Sequence, residues 1–347
     1  MGKRAKAPSR NVHGRILAWN METGGIACLT NIIGASMYRL MTTRVLLFTS
    51  LTAAVCTAQS NPFIGRWDFN IKTPGGQRAS WLGITEKNGS LEVWYQPTGG
   101  NVYQVKNVKL EGSHLTLALS PAMANRPGMS WELDATGETL TGTQKRGSET
   151  INLNGVRSPE LNRTAPKAWS KAEPLFNGKN LAGWEPIGDT ANNHWVVKDG
   201  LLVNEAHGAN LKTARTFDDF KLHFEVNCPD LANSGFYLRG RYELQLEYEP
   251  AGREPHEREM GSIYGRIAPS AQLPRMMGQW ETFDVTLVGR TVSVVRNGVT
   301  TIEAKQIDGI TGGALDANEG EPGPFYIQGD HTGGLKFRNI TVAVPKP

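Results

Sequence analysis

The sequence predicts an all-β protein that is built from two successive β-rich parts. Glycine (39 residues) and proline (19 residues) are frequent, and the chain has nine tryptophans. Short runs in which apolar and polar residues alternate follow one another from residue 61 onward, and turn-forming dipeptides separate them. Such alternation is typical of half-buried strands, and closely spaced turn signals are typical of antiparallel sheets.

Length, charge and cysteine content limit what the protein can do. A chain of 347 residues is long enough for two domains. The net charge is +4, and much of the basic excess lies in the first 44 residues. The folded part is therefore near neutral, and its charge predicts no nucleic-acid partner. The three cysteines, Cys28, Cys56 and Cys228, have the spacing of neither a disulfide framework nor a thiolate metal site.

Residues 41–58 have the features of a secretory signal peptide. Arg44 supplies the positive charge, an apolar run follows, and Ala58 ends a small-residue cleavage site. The run is too short to span a bilayer stably, so we expect no membrane partner after cleavage; a buried helix is the alternative. Residues 1–40 are predicted to be a disordered leader or sequence upstream of a true start at Met41. The expected location is secreted or periplasmic.

Residues 61–158 predict a small antiparallel β domain, either a barrel or a sandwich. Asn88-Gly89 and Thr136-Gly137 join alternating runs, and Asn-Gly in this position is a strong hairpin signal. The predicted strands are Gly65–Lys72, Ala79–Lys87, Leu91–Gln96, Tyr103–Glu111, His114–Ser120, Met129–Asp134, Thr139–Lys145 and Glu149–Arg157. Residues 159–174 carry three prolines among polar residues and predict a linker.

Residues 175–347 predict a two-sheet jelly roll, since their alternating runs amount to about a dozen strands. Lys198–Leu201 and Arg296–Val299 are predicted hairpin turns, because Asp-Gly or Asn-Gly lies at their centres. Asn233–Gly235 is also predicted as a turn.

A row of three polar residues stands out in this region. In a strand over 242–248, Glu243, Gln245 and Glu247 lie on one face, with about 7 Å between next-but-one neighbours. Two carboxylates and an amide in a row either face solvent or line a cleft.

Motifs spread over residues 173–345 resemble those of a known family. They are Phe176–Trp184, Trp195–Gly200, Asn233–Gly240, Tyr242–Gln245, Gly261–Gly265 and Gly323–Ile340, the last with Gly-Asp-His at 329–331. In this order they resemble the 3-keto-disaccharide hydrolase domain. The resemblance implies a concanavalin- and laminin-G-like jelly roll, secretion by a bacterium, and action on glycosides whose sugar ring carries a 3-keto group.

A 3-keto group acidifies the neighbouring C–H bonds, so the glycosidic bond can break by proton abstraction and elimination, followed by hydration. Such a site needs a base of tuned pKa, an electrophile for the enolate and sugar-binding groups. We predict Glu243 as the base, Arg239 as the group that stabilises the enolate, and His331 as an acid/base residue. A divalent ion held by Glu243 and His331 would serve the same end. The predicted substrate-binding residues are Gln245, Asn233, Glu247, Tyr264 and Trp195.

Two alternatives stay open on the sequence alone. Direct hydrolysis by a retaining carboxylate pair needs carboxyl groups about 5.5 Å apart, whereas the Cα atoms of Glu243 and Glu247 lie about 13 Å apart along a strand. A non-catalytic carbohydrate-binding protein could use the same jelly roll. An enzyme would gather Glu243, Gln245, Arg239 and His331 around one pocket, whereas a binding protein would show an exposed aromatic platform.

Overall fold

The computed structural model describes residues 61–73, 76–121, 127–248 and 256–346. They form 22 β-strands and one short 3-10 helix, Thr190–Asn192, and they contain no α-helix, which confirms the all-β prediction. They belong to one compact unit that spans Ala58–Pro347. No helix in these ranges is long and apolar enough to cross a membrane. The predicted leader (1–40) and signal peptide (41–58) lie outside the described residues.

The first nine strands form one nearly closed, barrel-like antiparallel sheet. They are β1 Gly65–Thr73, β2 Gly76–Lys87, β3 Ser90–Gln96, β4 Tyr103–Val105, β5 Asn107–Glu111, β6 His114–Ser120, β7 Met129–Thr136, β8 Thr139–Arg146 and β9 Glu149–Arg157. Their order is β4-β3-β2-β1-β9-β8-β7-β6-β5. Only Lys106 separates the two edge strands along the chain, where the sequence predicted a single strand over Tyr103–Glu111. Because of the break at Lys106, the two halves of this segment, β4 and β5, form the two opposite edges of the sheet.

Alternating apolar residues fill the interior of this sheet. Trp67, Phe69 and Trp131 are fully buried, and the rings of Phe69 and Trp131 lie 4.8 Å apart. The hairpin predicted at Asn88-Gly89 is confirmed: both residues adopt positive φ, 53° and 74°, as a tight two-residue turn requires. The interior is therefore a packed apolar core of its own.

Residues 159–172 hold no named strand or helix, and two arginines attach the segment to the rest of the molecule. Arg290 donates from Nη2 to the carbonyl oxygens of Pro159 and Glu160 at 2.9 and 3.3 Å. Arg163 binds Asp218 and Asp219 at 2.5 and 3.0 Å. These bonds to buried or half-buried groups hold the segment against the following strands.

The remaining thirteen strands form a two-sheet sandwich. The larger sheet contains β10 Glu173–Pro174, β12 Trp195–Lys198, β13 Leu201–Asn204, β15 Phe220–Asn227, β18 Trp280–Val288, β19 Thr291–Arg296, β20 Val299–Gln306 and β22 Lys336–Ala343. The smaller sheet contains β11 Trp184–Ile187, β14 Asn210–Phe217, β16 Asn233–Leu238, β17 Tyr242–Glu247 and β21 Gly323–Ile327. The last strand of each sheet lies between earlier ones, as crossovers between the sheets of a jelly roll require.

One apolar cluster, drawn from both sheets, lies between them. Phe224 of β15 stacks on Phe236 of β16 at 4.5 Å and on Phe283 of β18 at 5.2 Å. The hairpin turns predicted at Lys198–Leu201 and Arg296–Val299 are confirmed by the strand register. The turn predicted at Asn233–Gly235 is wrong. These residues begin β16, because each of them pairs with a residue of β17.

We predict that Phe224→Ala lowers the free energy of unfolding by about 3–5 kcal/mol, because it empties the centre of this aromatic stack. Chemical denaturation followed by tryptophan fluorescence measures the loss. Val299→Ala, at a position that is 42% exposed, is the matched control and should change the same quantity by less than about 0.5 kcal/mol. A loss below about 1 kcal/mol for Phe224→Ala would contradict the assigned core.

Candidate functional site

A cleft of about 710 Å³ lies on the face of the smaller sheet that is turned away from the core. Side chains from β14, β16, β17 and β21 line it. Residues 77–78 and 98–100 of the barrel-like sheet contribute as well, together with residues 312–316 of a loop in the sandwich. Of the residues predicted from the sequence, the cleft gathers Glu243, Gln245, Asn233, Tyr264 and His331.

The β16–β17 hairpin sets which side chains face the cleft. Tyr237 lies directly opposite Glu243, and Gly235 lies opposite Gln245. Since successive side chains of a strand alternate between the two faces, these residues face the cleft and their neighbours enter the core. The Glu243 side chain is nevertheless only 4% exposed. The alternation predicted from residues 242–248 is therefore real, but its polar face is buried against a cleft.

Gly235 makes room for the carboxyl group. A Cβ at this position would lie 2.3 Å from Oε1 and 2.7 Å from Cγ of Glu243. Any other residue would displace the Glu243 side chain, so the glycine is required by close packing rather than by a turn.

The Glu243 carboxyl group is poorly solvated and favours its protonated form. Burial raises its pKa to about 8, while the hydrogen bond from Tyr237 opposes the shift and the charges of Asp330 and Glu247 add to it. The Tyr237 hydroxyl lies 2.8 Å from Oε2, and the backbone N–H of Glu243 donates to Thr311 Oγ1 at 2.9 Å. A carboxyl group with a pKa near 8 can exchange a proton with a substrate close to neutral pH.

The Tyr237 hydroxyl has two acceptors and one proton. It lies 2.7 Å from the carbonyl oxygen of Gly312 as well as 2.8 Å from Glu243, and Gln328 Nε2 donates to it at 3.0 Å. A carbonyl oxygen can only accept, so a proton given to Gly312 leaves Glu243 to donate to Tyr237. When Glu243 is protonated it donates to the Tyr237 hydroxyl, and Tyr237 donates to the Gly312 carbonyl oxygen, so every group has a partner. When Glu243 is ionised, Tyr237 donates to the carboxylate and the Gly312 carbonyl oxygen loses this hydrogen bond.

Tyr326 completes the floor of the cleft. Its ring stacks on that of Tyr237 at 3.9 Å, and its hydroxyl donates to the carbonyl oxygen of Gly313 at 2.7 Å. Burial, reinforced by the charge of Glu243, raises the pKa of both tyrosines well above the ordinary value. Both therefore act as neutral hydrogen-bonding groups.

Two buried amide oxygens point to a polar ligand. Oε1 of Gln245 and Oε1 of Gln328 have no hydrogen-bond partner, although both side chains are more than nine-tenths buried and both line the cleft. Gln245 donates from Nε2 to Glu247 at 2.5 Å, which fixes the orientation of its amide. An unsatisfied buried acceptor is costly, and ligand hydroxyl groups could satisfy both oxygens.

His331 lies at the cleft with a carboxylate partner. Its Nδ1 is 2.9 Å from Oδ1 of Asp330, and its side chain is 43% exposed. This hydrogen bond raises the pKa of His331, while burial opposes the shift. The pKa of Asp330 is lowered, since the bond from His331 and one from Asn210 outweigh burial. His331 is therefore held toward its protonated form, as a proton donor or a cation.

Three of the predicted residues do not line the cleft. Glu247, at the end of β17, is not among the lining residues and accepts from Gln245 Nε2 at 2.5 Å. Arg239 is fully buried and does not line the cleft: it donates to Asp218 at 3.0 Å and to the carbonyl oxygen of Gly289 at 2.8 Å. It adopts a positive φ of 52° beyond the end of β16, so the strand alternation no longer orients it. Trp195 is 2% exposed, and its Nε1 donates to the carbonyl oxygen of Ala209. Arg239 and Trp195 therefore have structural contacts in place of the predicted roles.

The expected divalent-ion site does not fit the arrangement. Within the described ranges, no group of three or more His, Cys, Asp or Glu side chains is placed to hold a metal ion. The Glu243 carboxyl is bonded to Tyr237, and His331 Nδ1 is bonded to Asp330. Glu243 and His331 are therefore engaged in hydrogen bonds and are not arranged as metal ligands.

Tyr237, Gln328 and Asp330 are site residues that the sequence analysis did not identify. Tyr237 could have been found from the hairpin, because pairing Leu238 with Tyr242 across a short turn places Tyr237 opposite Glu243. Gln328 and Asp330 follow β21, which pairs with β16 across a separation of about ninety residues along the chain. No local pattern reports a pairing over that distance.

Comparisons with known proteins give a family for the sandwich. Residues 171–343 match the model of the family described as 3-keto-alpha-glucoside-1,2-lyase-like domain. No curated protein matches the chain significantly.

Several solved structures are similar to part of this chain. One from Parabacteroides distasonis, titled as a candidate glycosyl hydrolase, is 25% identical over 53% of this chain and 93% of its own, with a TM-score of 0.42. SCLam, an endo-beta-1,3(4)-glucanase, is 8% identical over 53% of this chain and 94% of its own, with a TM-score of 0.33. Trypanosoma rangeli sialidase is 11% identical over 77% of this chain and 63% of its own, with a TM-score of 0.25.

We predict that the thermal midpoint of Glu243→Gln, relative to wild type, rises as the pH is raised from 5 to 8 and then levels off. The folded-state pKa of Glu243, about 8, is raised above the unfolded value, so this carboxyl contributes stability below the unfolded pKa that is lost as the pH approaches 8. The Gln side chain does not titrate, so its contribution to stability does not change with pH. Differential scanning calorimetry measures both midpoints. Glu303→Gln, on the exposed face of β20, corrects for removal of one charge, and a difference that does not vary with pH would contradict the raised pKa.

Proposed function

Because residues 171–343 belong to the 3-keto-alpha-glucoside-1,2-lyase-like domain family, we propose that this domain cleaves glycosides whose sugar ring carries a ketone at C3. The observation that supports the proposal best is the Glu243 carboxyl, buried at a cleft with a pKa of about 8 and bonded to Tyr237. An elimination next to a ketone needs a base of this kind, since the C–H bond is only weakly acidic.

In the proposed reaction, ionised Glu243 removes the proton from C2 of the sugar. The electron pair of the C2–H bond passes into the ketone and forms an enolate with the charge on the C3 oxygen. When the enolate re-forms the ketone, a C1–C2 double bond forms and the C1–O bond to the leaving group breaks. A proton from the site goes to the leaving oxygen, and addition of water across the double bond gives the free 3-keto sugar.

The enolate oxygen and the leaving oxygen both need positive charge or hydrogen-bond donors. With Arg239 engaged elsewhere, the cationic side chains among the described lining residues are Arg78, Lys212 and protonated His331. Lys212 is partly exposed and lies 3.6 Å from Glu185. His331 is held toward its protonated form by Asp330, which suits proton donation to the leaving oxygen.

The amides supply the binding part of the site. The unpartnered oxygens of Gln245 and Gln328 can accept from sugar hydroxyl groups, and Asn233 and Tyr264 line the same cleft. A polar cleft floor of this kind favours a carbohydrate over an apolar ligand. Three tyrosines line this cleft, but Tyr237 and Tyr326 are buried and Tyr264 is half-buried, so they form no exposed aromatic platform. The arrangement therefore supports catalysis over the alternative of a binding protein with an aromatic platform.

We predict that Glu243→Gln lowers kcat/KM on a synthetic 3-keto-α-glucoside by about 10²-fold or more, because the base can no longer take the C2 proton. Release of the leaving group measures cleavage, with Glu303→Gln as the matched control. Equal rates for wild type and Glu243→Gln would contradict the role of Glu243. Binding of the glycoside by wild type without any cleavage would favour a carbohydrate-binding protein.

Cleavage in D₂O separates elimination from direct hydrolysis. Elimination followed by hydration places a solvent deuteron at C2 of the sugar, whereas direct hydrolysis leaves the original C2 proton in place. We predict one deuterium at C2 in product collected at early times, measured by mass spectrometry and NMR. Incubating unlabelled 3-keto sugar with the enzyme under the same conditions corrects for exchange after the reaction. Product without deuterium at C2 would contradict the proposed mechanism.

We also predict that kcat/KM of the wild type rises with pH, by up to about tenfold per pH unit, as Glu243 ionises, and falls again at higher pH as His331 loses the proton that it donates to the leaving oxygen. The sign follows from the role: a base must be ionised, and the raised pKa of about 8 keeps Glu243 protonated at lower pH. Initial rates between pH 5.5 and 9.5 at low substrate concentration provide the measurement. A profile that is flat from pH 6 to 9 would exclude Glu243 as the titrating base.

A further inference from the structure

Residues 310–318, which we name the bridging segment, attach the sandwich to the barrel-like sheet. Ile310 and Ala317 form a buried apolar cluster with Ala79 and Trp81 of β2. Asn70 of β1 accepts from the backbone N–H of Ala317 at 2.8 Å and donates to the side chain of Asn318 at 2.8 Å. The position of the bridging segment is therefore fixed by the barrel-like sheet.

The bridging segment lies closest to the loop 97–100 of the barrel-like sheet at Gly312 and Gly100. A Cβ on Gly312 would lie 2.3 Å from the carbonyl oxygen and 2.7 Å from the nitrogen of Gly100, so the two backbones touch with no space for a side chain. The backbone N–H of Gly313 donates to the carbonyl oxygen of Thr98 at 3.1 Å. Gln96 holds this loop in place, since its buried Nε2 donates to the carbonyl oxygens of Pro97 and Gly100 at 2.9 and 2.8 Å.

The other side of the same segment contacts the acid/base site. The carbonyl oxygen of Gly312 lies 2.7 Å from the Tyr237 hydroxyl, and Thr311 Oγ1 accepts from the backbone N–H of Glu243 at 2.9 Å. A Cβ on Gly313 would lie 2.5 Å from the Tyr237 hydroxyl. Residues 311–313 are thus packed between the barrel-like sheet and the two residues that share the proton, Tyr237 and Glu243.

We infer that the loop 97–100 of the barrel-like sheet is a positioning element for the acid/base site, acting through the bridging segment on the Tyr237 hydroxyl. The loop holds the Gly312 carbonyl oxygen where it competes with Glu243 for the Tyr237 proton. The catalytic meaning of this inference rests on the proposed function. The barrel-like sheet lies outside the residues that match the family, 171–343, so this control comes from a part of the chain that the family match does not cover.

The direction of the effect follows from the proton count. When Tyr237 donates to Gly312, Glu243 must carry a proton to bond Tyr237, and the acid form is favoured. If Gly312 moves away, Tyr237 donates to the carboxylate and favours the ionised form. The other charged or titratable groups that act on Glu243 are Asp330 and Glu247, which favour its acid form, and the neighbouring Tyr326 and Tyr264.

The experiment compares Gly312→Ala and Gln96→Met with wild type in the absence of substrate. Gly312→Ala pushes the bridging segment away from Gly100, and Gln96→Met removes the two bonds that hold the loop while keeping an unbranched buried side chain. Each protein is paired with the same protein carrying Glu243→Gln. The pH at which the difference in thermal midpoint levels off reports the ionisation of Glu243 in that background.

We expect this levelling pH to fall by about 0.5–1 unit in Gln96→Met, because the loop no longer holds the Gly312 carbonyl oxygen against Tyr237 and one competing acceptor is displaced. It should not fall in Gly312→Ala, because the added methyl group presses the segment from the Gly100 side toward Tyr237. Gly320→Ala is the matched control: its added methyl group meets only the Pro159 ring, at 3.5 Å, and the levelling pH should stay at the wild-type value. If Gly312→Ala does not fold, Gln96→Met decides.

An unchanged levelling pH in Gln96→Met, or a fall in Gly312→Ala, would overturn the inference, since a purely structural loop leaves the ionisation of Glu243 where it was. The same variants then report on function when a 3-keto-α-glucoside is added. If the levelling pH falls in Gln96→Met but wild type cleaves nothing, the control of the Glu243 proton stands and the proposed activity falls. If wild type cleaves and the levelling pH of Gln96→Met does not shift, the proposed activity stands and the positioning role falls.

Discussion

The hydrogen bond between Tyr237 and a buried carboxyl group, Glu243, is the interaction on which the rest of this site depends. A carboxylate loses solvation when it is buried, so a fold that buries one must either neutralise it or keep it protonated. No cation lies against Glu243 among its described partners, and Asp330 and Glu247 add negative charge nearby. The site therefore holds a carboxyl group of raised pKa at the floor of a cleft, and its ionised form is a stronger base than an ordinary carboxylate.

The sequence predicted the all-β class, most strands and the row of polar residues that includes Glu243, because these follow from alternation within single strands. It failed where a side chain depends on distant pairing or on a break in a strand. Arg239 follows the last residue of β16 and turns away with positive φ, so its buried contacts with Asp218 and Gly289 have no local signal. Gln328 joins Tyr237 only because β21 pairs with β16.

Gly235, Gly312 and Gly313 show how close packing, more than charge, builds this site. Each would place a Cβ within about 2.5 Å of a neighbouring atom: the carboxyl of Glu243, the backbone of Gly100 and the hydroxyl of Tyr237, respectively. In a sequence these glycines look like ordinary turn residues. In the structure they allow β16, the bridging segment and the barrel-like sheet to pack closely beside the Tyr237–Glu243 hydrogen bond. Two parts of the chain with separate apolar cores therefore contribute to one cleft.

The most direct test of this account is a carbon-13 NMR titration of the glutamate side-chain carboxyl groups between pH 4 and 10. The signal that disappears in Glu243→Gln identifies the residue, and no substrate is needed. The account predicts that this signal titrates with a midpoint near 8, because burial raises the pKa of Glu243 to about that value. A midpoint near the ordinary value for glutamate, about 4.3, would mean that the carboxyl is ionised at neutral pH and would contradict the central claim.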